Sequence, residues 1–291
     1  MSKPFSFSVF RNYFQLAKPK ITFPVTLSAL TGFLLYQGSF SSPWVSMAAG
    51  VFLMAAGSSA INQVQESGPD RKMARTRHRP IPSLKVSPVR ASIFAACLSM
   101  IGLALLLAYS GPLPTLVAFV TLGWYNGVYT FLKRLTAFAV VPGSLVGALP
   151  PFIGWTAAGG QILHPHILLV GFFFFIGQIP HFWLIILRYD KEYRMAGFPV
   201  LSDLLIHEQI YRLTFVWVVA TVLSGIMLIY FEIITLLPAI IILFIASALL
   251  LGYFVAWLRI KSEKEKIKAF VFINSYYLMV MFLIIINSLL R

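Results

Sequence analysis

The run Asn62-Gln-Val-Gln-Glu66-Ser-Gly-Pro-Asp70 carries three oxygen-bearing side chains at intervals of four. On a continuous helix that spacing places Asn62, Glu66 and Asp70 on one face. Such a face suits Mg²⁺, which takes one or two carboxylates and completes its shell with water and substrate phosphates. Pro69 interrupts the helix, because it has no N–H to give to the carbonyl of residue 65. The helix is therefore predicted to end near Glu66, with Pro69 opening a new turn that carries Asp70. Spacing alone leaves the position of Asp70 relative to Glu66 open. Arg75, Arg77 and Arg79 follow directly. Arginines at a membrane face anchor the chain and bind anionic lipid. Arginines interleaved with acids do more: the acids hold a metal and the guanidinium groups hold phosphate oxygens.

A second mixture of charges lies at Arg188-Tyr-Asp190-Lys191-Glu192-Tyr-Arg194. Asp190 and Glu192 are two residues apart and do not share a face on a regular helix. This motif is weak in isolation and gains force beside the first. His181 precedes it by roughly two helical turns. It reads either as a buried histidine paired with a neighbour, or as a heme contact or catalytic base. Cys97 sits in an apolar run and is expected to be a small buried hydrophobe.

The elements that must position these residues follow from where charge is missing. No Asp, Glu, Lys or Arg occurs in residues 21–65, 91–132, 135–187, 213–231, 233–258 or 269–290. A membrane helix needs roughly 20 apolar residues, so the first three gaps hold two spans each and the last three hold one each. The expected fold class is all-α, a polytopic bundle of nine transmembrane helices. Its spans are near 20–38, 43–62, 90–110, 113–132, 137–156, 167–188, 211–231, 233–258 and 269–290. Hairpin points fall at Gly38 to Pro43, Gly111–Pro112 and Gly159–Gly160, all helix breakers. The run Lys261 to Lys266 reads as a solvated connector.

Composition agrees. The 291 residues are 59% hydrophobic and 11% charged, with a mean hydropathy of +0.84. Soluble proteins carry about 25% charged residues, so a cytosolic enzyme, a disordered chain and a secreted disulfide scaffold are excluded. The net charge of +14 raises nucleic acid as a partner, and its distribution removes it. With nine spans every Lys and Arg except Arg291 falls on one face, and the positive-inside rule makes that face cytoplasmic. The N-terminus is then cytoplasmic and the C-terminus external. The basic start runs straight into a full-length span and does not read as a cleavable signal. A multi-pass bacterial inner-membrane protein, one domain over residues 1–291, is expected.

At this point the chain resembles the heme branch of the intramembrane aromatic prenyltransferase superfamily. The resemblance rests on Asn62 to Pro80, Tyr129-Thr-Phe-Leu-Lys-Arg134, Gly147 to Trp155, Pro180-His-Phe-Trp183 and the Ala-Gly-Phe-Pro run ending at Pro199. Together these segments span most of residues 18–200. The pattern departs at Gly68, where an Asp is usual, at Pro69, at Arg194 and in Ala137 to Pro142.

The resemblance implies transfer of a farnesyl group from farnesyl diphosphate to a vinyl group of heme B. It implies Mg²⁺ held by Glu66 and Asp70 with Asn62, and by Asp190 and Glu192. Arg75, Arg79, Lys133, Arg134, Arg188 and Lys191 would hold diphosphate oxygens or heme propionates, and His181 would touch the ring. Membrane lipid, and association with heme A synthase or oxidase assembly, complete the implied partners. Rival readings are a prenyltransferase for a quinone precursor or chlorin, a heme-binding paralogue and a transporter. A transporter places ionisable groups near the bilayer midplane, and the charge-free gaps leave none there.

Overall fold

The computed structural model describes residues 7–260 and 263–291. Lys3 and Lys261, two of the residues counted for orientation, lie outside them. In lipid a backbone must satisfy its own polar groups, so the apolar runs fold as helices. Each of the nine expected spans is a helical segment among the described residues. An exposed-sided helix α1 (Phe7–Ala17) leads in. It is followed by α2 (Pro19–Gln37), α3 (Trp44–Gln65), the short α4 (Ser67–Lys72), α5 (Pro88–Ser110) and α6 (Pro112–Gly123). Next come α7 (Ala137–Ala157), α8 (Pro165–Arg188), the short α9 (Asp190–Met195), α10 (His207–Tyr230), α11 (Leu237–Ile260) and α12 (Glu263–Leu290).

Seven of the nine spans are long and apolar enough to cross a membrane by themselves. The exceptions are the first and the fourth. Helix α2 carries Lys20, Thr22, Thr26, Ser28 and Thr31. The fourth span is divided, because α6 runs into a π-helical turn, Trp124–Tyr129, before a last turn at Thr130–Leu132.

Small residues let the rods approach. A Cβ on Gly154 of α7 would overlap the Ala29 carbonyl of α2, and one on Gly57 of α3 would overlap Ser99 of α5. Without a hydrophobic drive between helices in lipid, such close backbone packing supplies the attraction. Apolar side chains such as Leu116, Phe119, Ile245, Leu249 and Val271 remain exposed around the bundle, as a lipid-facing surface requires. Cys97, expected inside, is exposed on α5; its register puts it on the outer face. The expected solvated connector is corrected at Lys266, which is buried within α12 and donates to the Leu187 carbonyl at 3.4 Å.

The two ends of the bundle differ. At one, Arg291 donates to the Glu232 carbonyl at 3.2 Å. At the other, Lys18, between α1 and α2, meets α4, the end of the fourth span, the start of α7 and the segment around α9. The candidate chemistry is all at this second end.

Candidate active site

Helix α3 stops at Gln65, and Glu66 takes a non-helical φ of −101° with ψ of 5°. Pro69 then falls in the first turn of α4, where N–H groups have no helical partner anyway. The carbonyl of Gln65 that Pro69 cannot serve accepts instead from Arg134 Nη2 at 2.7 Å. The kink keeps the chain compact: Asp70 N still donates to the Glu66 carbonyl at 2.8 Å. Asn62, Glu66 and Asp70 are all buried and all line one cavity. Asn62 Nδ2 donates to Thr130 Oγ1 at 3.3 Å.

That cavity spans about 920 Å³ with its open mouth included. Its polar part joins the three acidic-motif residues to Lys18, Arg75, Arg79 and Lys133. Arg79 Nη1 donates to Asp70 Oδ2 at 2.7 Å. Lys133 is ion-paired with Glu66, and its Nζ lies 5.4 Å from the Tyr129 ring centre and 5.8 Å from that of Phe198. Burial, with the charges of Lys18 and Arg134 behind it, holds the Lys133 ammonium down to about 7; the Glu66 contact opposes that shift. Lys18 donates to Asn62 Oδ1 at 3.5 Å. Burial first, then the Arg79 guanidinium, holds Lys18 down to about 7, while the Asp70 carboxylate works the other way. The apolar part is formed by Tyr125, Tyr129, Phe182, Ile185 and Ile186. Tyr125 and Tyr129, four residues apart in the π turn, share one wall, rings 5.7 Å apart.

The two acids of the second segment, Asp190 and Glu192, do not line the cavity. Asp190 accepts from Ser202 Oγ at 2.5 Å and lies 3.8 Å from Arg194, which itself pairs with Asp203 at 2.8 Å. Glu192 Oε2 accepts from the Arg75 backbone N–H at 3.0 Å. The two loops are thus tied together, with Arg75 stacked over Tyr189 at 4.7 Å. Tyr193 does line the cavity, and burial raises its phenol. Arg134, Arg188 and Lys191 are exposed and off the cavity wall. His181 is off it too, and pairs with Asn274 at 2.9 Å.

Lys18, Tyr125, Tyr129, Tyr193 and Phe198 are cavity residues that sequence reasoning did not single out as site residues. Lys18 was one basic residue among many before the first span. Its left-handed backbone (φ 47°) at the start of α2 leaves no signature in residue type.

The donor chemistry fits a hard cation. Asp70 Oδ1 is buried and accepts no hydrogen bond, which is costly unless something fills that role. Oxygen atoms of Asp70, Glu66 and Asn62 are the ligand type Mg²⁺ prefers. Among the described residues no group of three His, Cys, Asp or Glu gathers to hold a metal alone. Such a set leaves most of the shell to water and phosphate, as Mg²⁺ sites commonly do.

A membrane-spanning helical bundle with acids and cations at one interface, above an aromatic-lined chamber, defines a class. It is an intramembrane enzyme for substrates with an anionic head and an apolar body. Residues 25–276 match the UbiA prenyltransferase family, and the chain belongs to it and is a prenyltransferase. It is 43% identical over 188 residues to the protoheme IX farnesyltransferase of Geobacter sulfurreducens, covering 64% of this chain and 69% of that one. It is 40% identical over 183 residues to that of Oleidesulfovibrio alaskensis, covering 63% and 65%. The fold is similar to a UbiA homolog from Archaeoglobus fulgidus bound to GPP and Mg²⁺, with a TM-score of 0.66, 15% identity and 94% and 99% coverage. It is also similar to a structure described for digeranylgeranylglyceryl phosphate synthase, with a TM-score of 0.77, 15% identity and 97% and 99% coverage.

Proposed function

We propose that the chain, acting as one unit, transfers the farnesyl group of farnesyl diphosphate to a vinyl group of heme B. The product is heme O, with its hydroxyethylfarnesyl chain. The single observation that carries the site is the shared cavity: Glu66, Asp70 and four cations above Tyr125, Tyr129 and Phe182. The choice of heme as acceptor is supported by the relatives named above.

In the reaction the allylic C–O bond breaks and diphosphate leaves with the electron pair. The terminal vinyl carbon bonds to the allylic carbon, the adjacent carbon is captured by water, and that water loses a proton. Arg75, Arg79, Lys18 and Lys133 offset the charge that develops on diphosphate, as fixed cations in a partly dry site do best. Tyr125, Tyr129 and Phe182 flank the allylic group with π-faces that favour a cation. The apolar wall keeps water away until the carbon–carbon bond has formed. Glu66, Asp70 and Asn62 would hold Mg²⁺, which when bound neutralises diphosphate oxygens. Glu192 contributes by fixing the second loop against the first, and Asp190 by bracing the second loop on itself through Ser202 and Arg194. The exposed Arg134, Arg188 and Lys191 remain for heme propionates.

The reading also places this end of the bundle on the cytoplasmic side of a bacterial inner membrane, with the N-terminus cytoplasmic and the C-terminus external. Farnesyl diphosphate then meets the site from water while its tail enters hydrocarbon. The test is expression in a bacterium unable to make heme O, followed by mass spectrometry of extracted hemes. Heme O should appear. Prenylation of a phenolic acceptor with heme B unmodified would leave the family standing and remove heme as acceptor.

A further inference from the structure

The loop after α4 and the loop around α9 meet at Arg75. The turn that carries it uses the Met73 carbonyl for the N–H groups of Thr76 and Arg77. The Arg75 N–H goes instead to Glu192 Oε2, at 3.0 Å. Its guanidinium carbon lies 4.7 Å from the centre of the Tyr189 ring, which Arg188 also approaches, at 4.9 Å. Burial raises the Tyr193 phenol, and the Arg75 guanidinium opposes that shift by its charge and by a hydrogen bond. Met73 packs with Ala196 and Phe198, and Tyr193 lies against them, so the two loops share a small core.

The acids beside α9 do not fit the second metal site that the resemblance implies. A carboxylate that shares Mg²⁺ with a diphosphate must face the phosphates, and neither Asp190 nor Glu192 lines the cavity. Asp190 is turned to Ser202 and Arg194, and Glu192 is engaged by the Arg75 N–H. Arg75 and Tyr193, in contrast, do line the cavity. Arg75 is also exposed. A free arginine side chain loses rotamer freedom when it binds phosphate. One already held by its backbone, its flat face and its N–H groups loses less, and its fork meets phosphate oxygens in a fixed orientation.

We propose that the loop around α9 is an arginine holder and not a metal motif: Glu192, Tyr189 and Tyr193 are positioning residues that act on the diphosphate through Arg75. This rests on the diphosphate half of the reading above and is independent of the acceptor.

The test uses the purified full-length chain in detergent. Mn²⁺ serves as the metal, since it suits the same oxygen ligands as Mg²⁺. Farnesyl thiodiphosphate, whose bridging sulfur resists cleavage, serves as the ligand. EPR counts bound Mn²⁺, and equilibrium dialysis measures affinity for the analogue. The wild type and every loop variant should bind a single Mn²⁺ per chain with the analogue. Glu192→Ala, Tyr189→Leu and Tyr193→Phe should each weaken the analogue by about three- to tenfold. Glu192→Gln keeps an oxygen for the Arg75 N–H and Tyr189→Phe keeps the ring face, so both should stay within about twofold of wild type. In an Arg75→Ala background all three losses should shrink to within about twofold, because no guanidinium is left to position.

A second bound Mn²⁺ that disappears in Glu192→Gln overturns the proposal, because the amide keeps the hydrogen bond and loses only the ligand charge. Unchanged affinity in the three disruptive variants overturns it too. So do losses that persist at full size in the Arg75→Ala background, since those mark general packing. A wild-type chain that binds no analogue removes the diphosphate site itself, and the holder with it.

Discussion

Pro69 and Arg134 are coupled through one carbonyl. The proline deletes the N–H that would reach Gln65 O, and the guanidinium replaces it at 2.7 Å. Arg134→Ala should lower stability by about 1 kcal/mol, the net worth of such a bond. In a Pro69→Ala background the backbone can serve Gln65 again, so the same change should cost clearly less. Thermal unfolding in detergent reads both; equal costs in the two backgrounds would disprove the coupling. Asp70 and Glu66 belong to the same scale. Asp70→Asn and Glu66→Gln should each reduce turnover by about two orders of magnitude or more while the protein still inserts, because several kcal/mol of transition-state charge stabilisation is lost. Near-normal magnesium-dependent turnover in both variants is the result that rejects them as metal ligands. Lys18 adds a pH dependence. Its pKa of about 7 in the ligand-free chain means that it loses its charge as pH rises past neutrality. An arriving diphosphate favours the charged form and so raises that pKa. Binding should take up protons near pH 8, and Lys18→Met should take up fewer. Calorimetry in buffers of different ionisation enthalpy measures the difference.

At the scale of elements, the π turn Trp124–Tyr129 carries both wall residues Tyr125 and Tyr129. It is stitched to α3 by hydrogen bonds of Ser58, Gln65 and Asn126. Asn126 Nδ2 donates to the Ser58 carbonyl at 3.1 Å, Ser58 Oγ donates to Asn126 Oδ1 at 2.7 Å, and Gln65 Nε2 donates to the Asn126 carbonyl at 2.9 Å. Thr130 Oγ1 donates to the Tyr125 carbonyl at 2.8 Å, which also accepts from the Thr130 backbone N–H. Such turns concentrate at functional sites. Asn126→Leu should cost only about 1 kcal/mol of stability, as polar contacts between membrane helices do. Turnover should fall at least tenfold, because about 1 Å of displacement in positioning groups is enough. Unfolding and activity measured on the same preparation separate the two; a loss of activity no larger than the loss of folded protein rejects a positioning role.

At the scale of the whole molecule the asymmetry of the two ends is the main property. The cavity, both charged loops and Lys18 share one end, while Glu232 and Arg291 meet at the other. Reporter fusions at Ser83 and Gly160 should report opposite sides of the membrane, with Ser83 cytoplasmic. A shared side for both positions rejects the nine-span topology. The opposite assignment keeps the topology and inverts the orientation, moving the site to the external face.

The membrane architecture was legible in the residues because it is one-dimensional: charge-free runs and breakers mark spans whatever their neighbours do. The Asn62, Glu66 and Asp70 motif was legible for the same reason, since its members are local and Pro69 has a known effect on its own chain. What tertiary structure decided is everything that depends on residues far apart in sequence. Glu192 is legible as an acid, but its use on the Arg75 N–H depends on how two loops meet. Lys133 carries no mark of its pairing with Glu66, nor Arg134 of its bond to Gln65. Cys97 was misplaced because apolar neighbours along the chain do not say which face of a helix meets protein and which meets lipid, and Lys266 because a run of charges does not say which of its members folds back against the bundle. In a bilayer both faces are apolar, so hydrophobic pattern loses the inside–outside contrast that it carries in water. Only the packing of the helices against one another restores it.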